Sequence, residues 1–440
     1  MPAELVASLL LLVPTTITAQ KPFARQNPKT DKFTVHSFHH VEVYCADATN
    51  TAGNFQNALG MHTLAKTRNN RFTSTVIGSG NVKIAFTAPL PVPQLDRDRL
   101  PPDGLAKILD YDETDPHAFI ATHGGVAVRA VCLHVADVHD AFQACVDGGG
   151  DAVLEPRALR CDAESTTPMG HVAEVRLYGD VVLRLLSLDC SYAGAHMPGY
   201  EDEPTNPHMS DDYGIMRFDH IVGNVWEMMP TIERLQRMLG FHEFAEFTAE
   251  DVGTVDSGLN SMVLSNNAQN VLLPINEPTY GTRRRSQIET YLLSNVGEGV
   301  QHMALATEDI FTTVRAMRAA GDRGGFTFMD PPGEDYYAEL PERIGSDVLT
   351  VEQFEEVREL GLLVDRDPEG ALVQVFTRPV GDRPTLFLEI IQRIGCMYDT
   401  PGSLPGSARV QAGGCGGFGK GNFKALFKAV EDYERSLEED

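Results

Sequence analysis

Three ionisable side chains interrupt apolar stretches in the second half of the chain. Glu389 stands in the middle of residues 385–391, which are otherwise apolar apart from one threonine. His220 and His302 each lie in a stretch where the two-residue period of a β-strand puts the imidazole on an apolar face. A buried ionised carboxylate is costly unless a cation, hydrogen-bond donors or a metal compensates it. Two neutral imidazoles and one carboxylate form the facial triad that binds Fe(II) and leaves positions open for substrate and dioxygen.

The chain repeats its own pattern, and the repeat indicates which elements would hold these side chains. Residues 38–61 match residues 218–241, and residues 128–138 match residues 300–310. Each unit starts as an alternating strand and continues into a helix-period stretch that ends at a glycine. The pattern predicts four modules of a strand, a helix and further strands, two in each half.

The repeat also tests the simpler interpretation, in which such residues are paired members of a core. In the first half His40 occupies the first ligand position, whereas Ala130 and Arg184 occupy the other two. An arginine cannot ligate a metal. We therefore expect the first half to keep the scaffold without the site, with His40 as a structural histidine.

Shifts in composition divide the chain into four parts. Residues 194–214 carry three prolines, three glycines and five acids with no apolar period, which predicts a linker. The predicted division is an N-terminal tail at 1–30, a metal-free domain at 31–193, the linker at 194–214 and a metal-binding domain at 215–440. An insertion at about residues 330–359, rich in acids and prolines, interrupts the fourth module.

A glycine-rich stretch at residues 413–421 precedes the C-terminus. Apolar residues at helical spacing follow it, from Phe423 to Tyr433. Because glycine tolerates backbone conformations that other residues avoid, the stretch is suited to a hinge. The pattern predicts an amphipathic C-terminal helix on a glycine hinge.

Charge and cysteine content exclude several classes of protein. The formal charge of −26 opposes binding to nucleic acid or to an anionic membrane. Seven cysteines without a Cys-x-x-Cys pair argue against a disulfide framework and a thiolate zinc site, and favour a reducing, cytoplasmic location.

The N-terminus has some features of a targeting segment. Residues 5–13 are apolar, but no lysine or arginine precedes Lys21, so we expect a tail. Organelle import is the alternative if this stretch is a targeting segment.

Five separated segments carry a resemblance to a known family, and they agree with it in order and spacing. They are residues 258–264, 272–278, 285–291, 384–393 and 413–423. The chain resembles the 4-hydroxyphenylpyruvate dioxygenases, of plant or algal type, in the vicinal-oxygen-chelate superfamily. The resemblance implies an α+β fold of two tandem vicinal-oxygen-chelate domains, each with two βαβββ modules forming a half-open barrel, plus a C-terminal gating helix.

The resemblance also implies an activity. His220, His302 and Glu389 would hold Fe(II), and the enzyme would convert 4-hydroxyphenylpyruvate and dioxygen to homogentisate and carbon dioxide. Such a reaction belongs to tyrosine and phenylalanine catabolism and supplies a precursor for plastoquinone and tocopherol. The expected partners are these small molecules and a second copy in a homodimer, with no nucleic acid and no membrane.

By the same motifs, two further sets of residues are implied at the site. The substrate contacts would be Ser261, Asn276, Gln287, Gln301, Gln374, Phe376, Phe387 and Asn422. The gate would be Phe418, Phe423 and Phe427. The two-residue period points Gln301 away from the face of His302 unless a bulge turns it.

Three alternatives remain open at this point. 4-Hydroxymandelate synthase would share all three ligands, so pocket residues around Phe376 and Phe387 must decide between the two products. An extradiol ring-cleaving dioxygenase would need an acid–base histidine near the metal, and the sequence offers no convincing one. A non-catalytic binding protein on the same scaffold is the third, and metal content with substrate-dependent oxygen uptake would separate it.

Overall fold

The computed structural model describes residues 25–69, 71–90, 116–161, 165–204, 212–249, 258–321, 323–399 and 409–439. The apolar N-terminal stretch at 5–13 lies outside these residues. Within them the chain adopts the predicted α+β fold, with one large mixed sheet in each half. No helix in the described part of the chain is long and apolar enough to cross a membrane.

The first half contains a nine-stranded sheet. Its elements are β1 Val35–Cys45, α1 Ala48–Leu59, β2 His62–Arg68, β3 Phe72–Ser79, β4 Val82–Pro89, α2 Pro116–His123, β5 Val126–Val135, α3 Val138–Asp147, β6 Ala152–Leu159, β7 Gly170–Tyr178, β8 Val181–Leu188 and β9 Glu201–Asp202. The strand order is β6-β7-β8-β5-β1-β4-β3-β2-β9.

The second half contains an eight-stranded sheet that curves around a cavity. Its elements are β10 Ile215–Asn224, α4 Met228–Leu239, β11 His242–Phe247, β12 Leu259–Ser265, β13 Leu272–Pro278, α5 Gln287–Ser294, β14 Gly299–Thr307, α6 Ile310–Gly321, α7 Glu334–Ile344, α8 Val351–Glu359, β15 Leu363–Arg366, β16 Gly370–Phe376, β17 Phe387–Gly395, β18 Met397–Tyr398, β19 Val410–Gln411, a 3-10 turn Lys420–Asn422 and α9 Phe423–Glu439. The strand order is β11-β12-β13-β10-β14-β17-β16-β15, with β18 and β19 paired separately.

Helix boundaries coincide with capping residues, and the glycine ends that the sequence predicted are among them. Asp47 and Asp137 accept hydrogen bonds from backbone N–H groups in the first turns of α1 and α3. Helices α1 and α4 end at Gly60 and Gly240, whose φ angles of 63° and 75° lie in the left-handed region. The predicted modules of strand, helix and further strands are confirmed in both halves.

The same strand pairing recurs in each half. The first and last strands of a module are parallel, as in β14 and β17, and the two modules join through antiparallel pairs, β1 with β5 and β10 with β14. In the second half this register sets His220 opposite Ala304 and Ala304 beside Glu389. The three predicted ligands therefore lie on three adjacent central strands.

Register shifts on these central strands redirect particular side chains. Strand β10 shifts between Phe218 and His220, and its pairing with β14 shifts again where residue 301 has no partner. A bulge brings neighbouring side chains to one face of a sheet, although the two-residue period would separate them. Asp219 and Gln301 are two of the side chains redirected in this way.

The acidic insertion and part of the linker are structured. Helices α7 and α8 form within residues 334–359. In the segment 194–204, His196 and Met197 are fully buried, and β9 pairs with β2. This part of the predicted linker therefore packs on the sheet of the first half.

Cys396 and Cys415 form a disulfide, which corrects the expectation drawn from the cysteine count. The two residues are 19 positions apart, and they meet because β17 ends at Gly395 beside the glycine-rich stretch. Sequence motifs such as Cys-x-x-Cys detect only pairs that are close along the chain. The other five cysteines are free.

Candidate metal centre and substrate cavity

His220, His302 and Glu389 converge on one point in the half-barrel. The carboxylate Oε2 of Glu389 lies 3.2 Å from Nε2 of His220 and 3.3 Å from Nε2 of His302. One ligand atom from each of the three residues lies within 4.8 Å of the others. The structure therefore brings together the three side chains that the sequence predicted as ligands.

The orientation of His220 is fixed by the residue beside it. Because of the bulge in β10, the Asp219 carboxylate accepts a hydrogen bond of 2.8 Å from Nδ1 of His220. This bond keeps a proton on Nδ1, so Nε2 is the nitrogen that faces Glu389 and would bind a metal once its own proton is lost. Arg393 in turn holds Asp219 with two hydrogen bonds of 2.8 Å and 2.7 Å.

The orientation of His302 is fixed in a similar way. Its Nδ1 donates to Oε1 of Gln301 at 2.8 Å, so Nε2 again faces the carboxylate. The ring stacks on Phe387 with centroids 4.9 Å apart and planes 18° apart. Gln301 reaches this position because its residue is the extra one in the bulge, the exception that the sequence analysis named.

Burial and charge oppose each other at these ligands. Burial lowers the pKa of His220, but the nearby Glu389 and Asp219 carboxylates outweigh it and raise the pKa to about 9. Burial raises the pKa of Glu389, but the two imidazoles lower it to about 2. The pKa of His302 is lowered, chiefly by burial. A proton on His220 therefore compensates the buried carboxylate in the metal-free protein.

The donor set fits a divalent metal. Two Nε2 atoms with fixed tautomers and one ionised carboxylate point at the same place, and the side chains behind them hold their orientation. A divalent cation there would replace the proton on His220 as the charge that compensates Glu389.

A cavity opens in front of these ligands. All eight predicted substrate contacts line it: Ser261, Asn276, Gln287, Gln301, Gln374, Phe376, Phe387 and Asn422. The three predicted gate residues Phe418, Phe423 and Phe427 line it as well. No lysine or arginine is among its described lining residues, so a hydroxyl, amides, imidazoles, aromatic rings and the Glu389 carboxylate provide its chemistry.

Several residues of the site were missed by the sequence analysis. The cavity wall also includes Val222, Phe247, Leu259, Val263, Pro274 and Leu426. These side chains are ordinary apolar residues of strands and a helix, and nothing in their type distinguishes a cavity wall from a core. Asp219 and Arg393 did carry a signal, because each is a charged residue in a buried strand that holds a predicted ligand. Asp219 is next to His220, and Arg393 follows Glu389 by four positions.

The C-terminal segment closes one side of the cavity. The ring of Phe418 lies 5.3 Å from the ring of His220, and Phe423 lies 5.8 Å from Phe427 on α9. Gly419 has a φ of 72°, and a Cβ there would meet the amide of Gln374 at 2.5 Å. A larger residue at this position could not pack so closely against the cavity wall.

The first half replaces the metal centre with an internal ion pair network. At the position equivalent to Glu389, the Arg184 guanidinium contacts Glu42 at 2.6 Å and Glu174 at 2.7 Å, and all three side chains are buried. Its Nη1 donates to Nε2 of His40 at 3.1 Å. The Arg184 guanidinium therefore occupies the place at which the three ligands meet in the second half.

A second group of possible ligands, His39, His40 and Cys132, lies beside this network. Since arginine can only donate, Nε2 of His40 must accept from Arg184, and Nδ1 of His40 must carry the proton. That proton is donated to Nδ1 of His39 at 2.8 Å. The lone pairs of His40 Nε2 and His39 Nδ1 already accept hydrogen bonds, so they are not available to a metal. This group is a hydrogen-bonded core cluster, as predicted for His40.

Comparisons with known proteins agree with the geometry of the site. Residues 217–375 match the model of the Glyoxalase/Bleomycin resistance protein/Dioxygenase superfamily. The chain is 50% identical over 428 residues to the 4-hydroxyphenylpyruvate dioxygenase of Plectranthus scutellarioides, with 96% of this chain and 94% of that protein covered. It is 51% identical over 422 residues to the protein of the same name from Daucus carota, with coverage of 94% and 91%.

A solved structure has the same fold. A triple mutant of 4-hydroxymandelate synthase from Streptomyces coelicolor superposes with a TM-score of 0.70 and covers 91% of this chain and 99% of its own. The sequence identity is 24%, so the likeness is one of fold.

Proposed function

This chain belongs to the 4-hydroxyphenylpyruvate dioxygenase family, and on that premise we propose that its domain at 215–440 binds Fe(II) and converts 4-hydroxyphenylpyruvate and dioxygen to homogentisate and carbon dioxide. The observation that carries the proposal is the convergence of His220, His302 and Glu389 at the floor of a mainly apolar cavity. The first half, with Arg184 at the equivalent position, serves as scaffold.

The residues of the site have separate tasks in this proposal. His220, His302 and Glu389 would hold the iron, and Asp219 and Gln301 keep the two imidazoles in the required tautomer. When bound, Fe(II) supplies the redox chemistry with dioxygen that no side chain can provide. No protein general base is assigned.

The cavity wall would orient the substrate. Phe376 and Phe387 lie 6.1 Å apart with their planes at 75°, which forms an apolar corner for an aromatic ring. Asn276 donates to Asn224 at 3.1 Å, and Gln301 accepts from His302, so these two amides are held in place before a ligand arrives. A fixed orientation of the ring relative to the metal lowers the entropic part of the barrier.

The gate residues would exclude water. Phe418, Phe423 and Phe427 place three rings over the cavity, and Phe427 is itself almost fully buried. Exclusion of water protects reactive intermediates from side reactions, and movement of the segment would admit substrate and release product.

The alternative product, 4-hydroxymandelate, is disfavoured by the sequence relationship. The two plant dioxygenases are about twice as similar in sequence to this chain as the synthase, at 50% and 51% against 24% identity. The test is iron quantification on the purified protein, oxygen uptake with 4-hydroxyphenylpyruvate, and chromatography of the product. Homogentisate supports the proposal, hydroxymandelate replaces it with the alternative, and iron-free protein without uptake favours a binding protein.

We also propose the homodimer inferred from the sequence; for the location, the sequence leaves the cytoplasm and an organelle as the two candidates. Analytical ultracentrifugation tests the dimer. The Cys396–Cys415 disulfide weighs against a reducing compartment, because such bonds are rare in the cytoplasm. Cell fractionation with trapping of free thiols would test the location and the redox state together.

A further inference from the structure

Arg393 lies directly behind the metal centre, outside the cavity. It follows Glu389 by four positions on β17, its side chain is only 1% exposed, and neither it nor Asp219 lines the cavity. A fully buried arginine requires partners for its donors. The identity of those partners shows what this residue does.

One side of the guanidinium holds the carboxylate that orients a ligand. Nε donates to Oδ1 of Asp219 at 2.8 Å and Nη2 donates to Oδ2 at 2.7 Å, a bidentate pair. Oδ2 of the same carboxylate accepts from Nδ1 of His220. Any shift of Arg393 is therefore transmitted to His220 through a single side chain.

The other side holds the backbone of the glycine-rich stretch. Nη1 of Arg393 donates to the carbonyl oxygens of Cys415 and Gly417, both at 2.6 Å. Between those bonds and the metal centre, the Phe418 ring lies 5.4 Å from the guanidinium and 5.3 Å from the His220 ring. Gly416 and Gly417 adopt φ angles of 75° and 72°, so this conformation depends on glycine.

We propose that Asp219 and Arg393 are positioning residues that couple the gate segment, residues 413–427, to the metal ligand His220. With the gate segment seated, its carbonyls fix Arg393, Arg393 fixes Asp219, and Asp219 fixes the imidazole. Linkage is reciprocal, so metal binding at His220 must stabilise the seated gate segment to the same extent. This inference rests on the proposed function, because it takes His220 to be a metal ligand.

The chain offers a matched control for the test. Arg217 also donates to Oδ1 of Asp219, at 3.2 Å, but its side chain is 38% exposed and it has no bond to the gate segment. Arg217→Met removes a cation from Asp219 and leaves the bidentate pair with Arg393. Arg393→Met removes the pair and both carbonyl bonds.

The experiment measures Fe(II) affinity by anaerobic equilibrium dialysis, and hydrogen exchange of residues 413–427 with and without Fe(II), on full-length protein. In the wild type we expect Fe(II) to slow exchange in the gate segment. In Arg393→Met we expect Fe(II) affinity to fall about ten- to a hundredfold, and exchange to be unaffected by Fe(II) even at saturation. Arg217→Met should keep both wild-type properties.

The outcomes separate the two proposals. Two results would overturn the coupling alone, provided that the wild type binds Fe(II). One is an Fe(II) affinity of Arg393→Met equal to that of the wild type. The other is a slowing of exchange by Fe(II) in the gate segment of Arg393→Met that is as large as in the wild type. A wild type that takes up no Fe(II) would overturn both the coupling and the proposed function. If Arg393→Met does not fold, Arg393→Lys keeps the charge but cannot make the bidentate pair and both carbonyl bonds, and the same criteria apply to it.

Discussion

At the scale of single residues, the same bulge serves two purposes in the two halves. In β10 it turns Asp219 toward His220, where the carboxylate sets the tautomer of a ligand. In β1 it turns His39 toward His40, where the imidazole only accepts a hydrogen bond. The backbone is therefore shared, and the side-chain chemistry alone determines whether a strand carries a metal ligand.

Substitution of the ligands should separate these roles. We expect His302→Ala and Glu389→Ala to reduce bound iron to background and to abolish turnover, because each removes one of three ligands. His40→Ala should keep iron and turnover but lower the free energy of unfolding, because it removes a buried hydrogen bond with Arg184 and leaves a void in the core. Metal analysis and denaturant unfolding of the three variants check this, and equal iron loss in all three would contradict a single site.

At the scale of elements, the glycine-rich stretch and α9 form one unit fastened at several points. The disulfide ties Cys415 to the end of β17, Arg393 ties the carbonyls, and Phe427 packs in a cluster with Phe244 and Ile288. Each fastening lies at a different place along the unit. The closed arrangement of the gate therefore has covalent, polar and apolar contacts with the rest of the domain.

The disulfide should stabilise this unit measurably. Closing a loop between residues 19 apart removes conformational entropy from the unfolded chain worth up to about 3 kcal/mol. We expect reduction, or Cys396→Ser, to lower the free energy of unfolding and to speed proteolysis of the C-terminal segment. Cys161→Ser, which removes an exposed free thiol, is the control. Stability that is indifferent to reductant in the wild type would show that the bond contributes nothing.

Loss of the aromatic contacts of α9 should uncouple oxygen use from product formation. In Phe423→Ala/Phe427→Ala, α9 loses two rings that cover the cavity, and a buried Phe→Ala change typically costs about 3–5 kcal/mol. Because water then enters, oxygen consumed per homogentisate formed should rise above one. Turnover is expressed per bound iron, because an unseated gate segment should also lower the affinity for Fe(II). Lys424→Ala, on the exposed face of α9, is the control. A wild-type ratio in the double variant would show that the rings do not exclude water.

At the scale of the whole molecule, the two halves share one core. The Phe38 and Phe218 rings, from equivalent positions in the two halves, meet at 6.0 Å in an edge-to-face arrangement, and buried residues of both sheets form one apolar cluster. A substitution that weakens packing in the metal-free half should therefore also destabilise the metal-binding half. We expect the chain to unfold as a unit rather than half by half.

The first half should make this unit sensitive to acid. Burial, with nearby positive groups, holds the pKa of His39, His40 and His196 well below 6.5. Below pH 6.5 the unfolded chain takes up protons that these imidazoles cannot, so stability falls as pH falls, by about 1.4 kcal/mol per pH unit for each histidine. Denaturant unfolding between pH 7.5 and 5.5 measures the slope of the free energy of unfolding against pH. His196→Phe should reduce this slope by the contribution of one histidine. An unchanged slope in that variant would show that His196 is protonated in the folded state.

The sequence predicted those features that depend on residue type and period. The modules were predictable because strand and helix periods repeat, and the triad was predictable because each ligand interrupts an apolar stretch. The strand period alone misplaces Asp219 and Gln301, because a bulge changes which face a residue occupies without changing the sequence pattern. Gln301 was placed at the site by the family resemblance and not by the period. The Cys396–Cys415 bond was also missed, since it depends on two elements meeting in space.

The Arg184 network has a consequence for any attempt to build a second metal centre into this protein. Restoring ligands to the first half would require both Ala130→His and Arg184→Glu. Arg184→Glu alone would bury a third carboxylate against Glu42 and Glu174, and breaking such a buried pair typically costs about 3–5 kcal/mol. Ala130→His alone would place an imidazole beside a fixed cation. Because Arg184→Glu alone breaks this buried network, the network itself opposes the formation of a second metal centre in the first half.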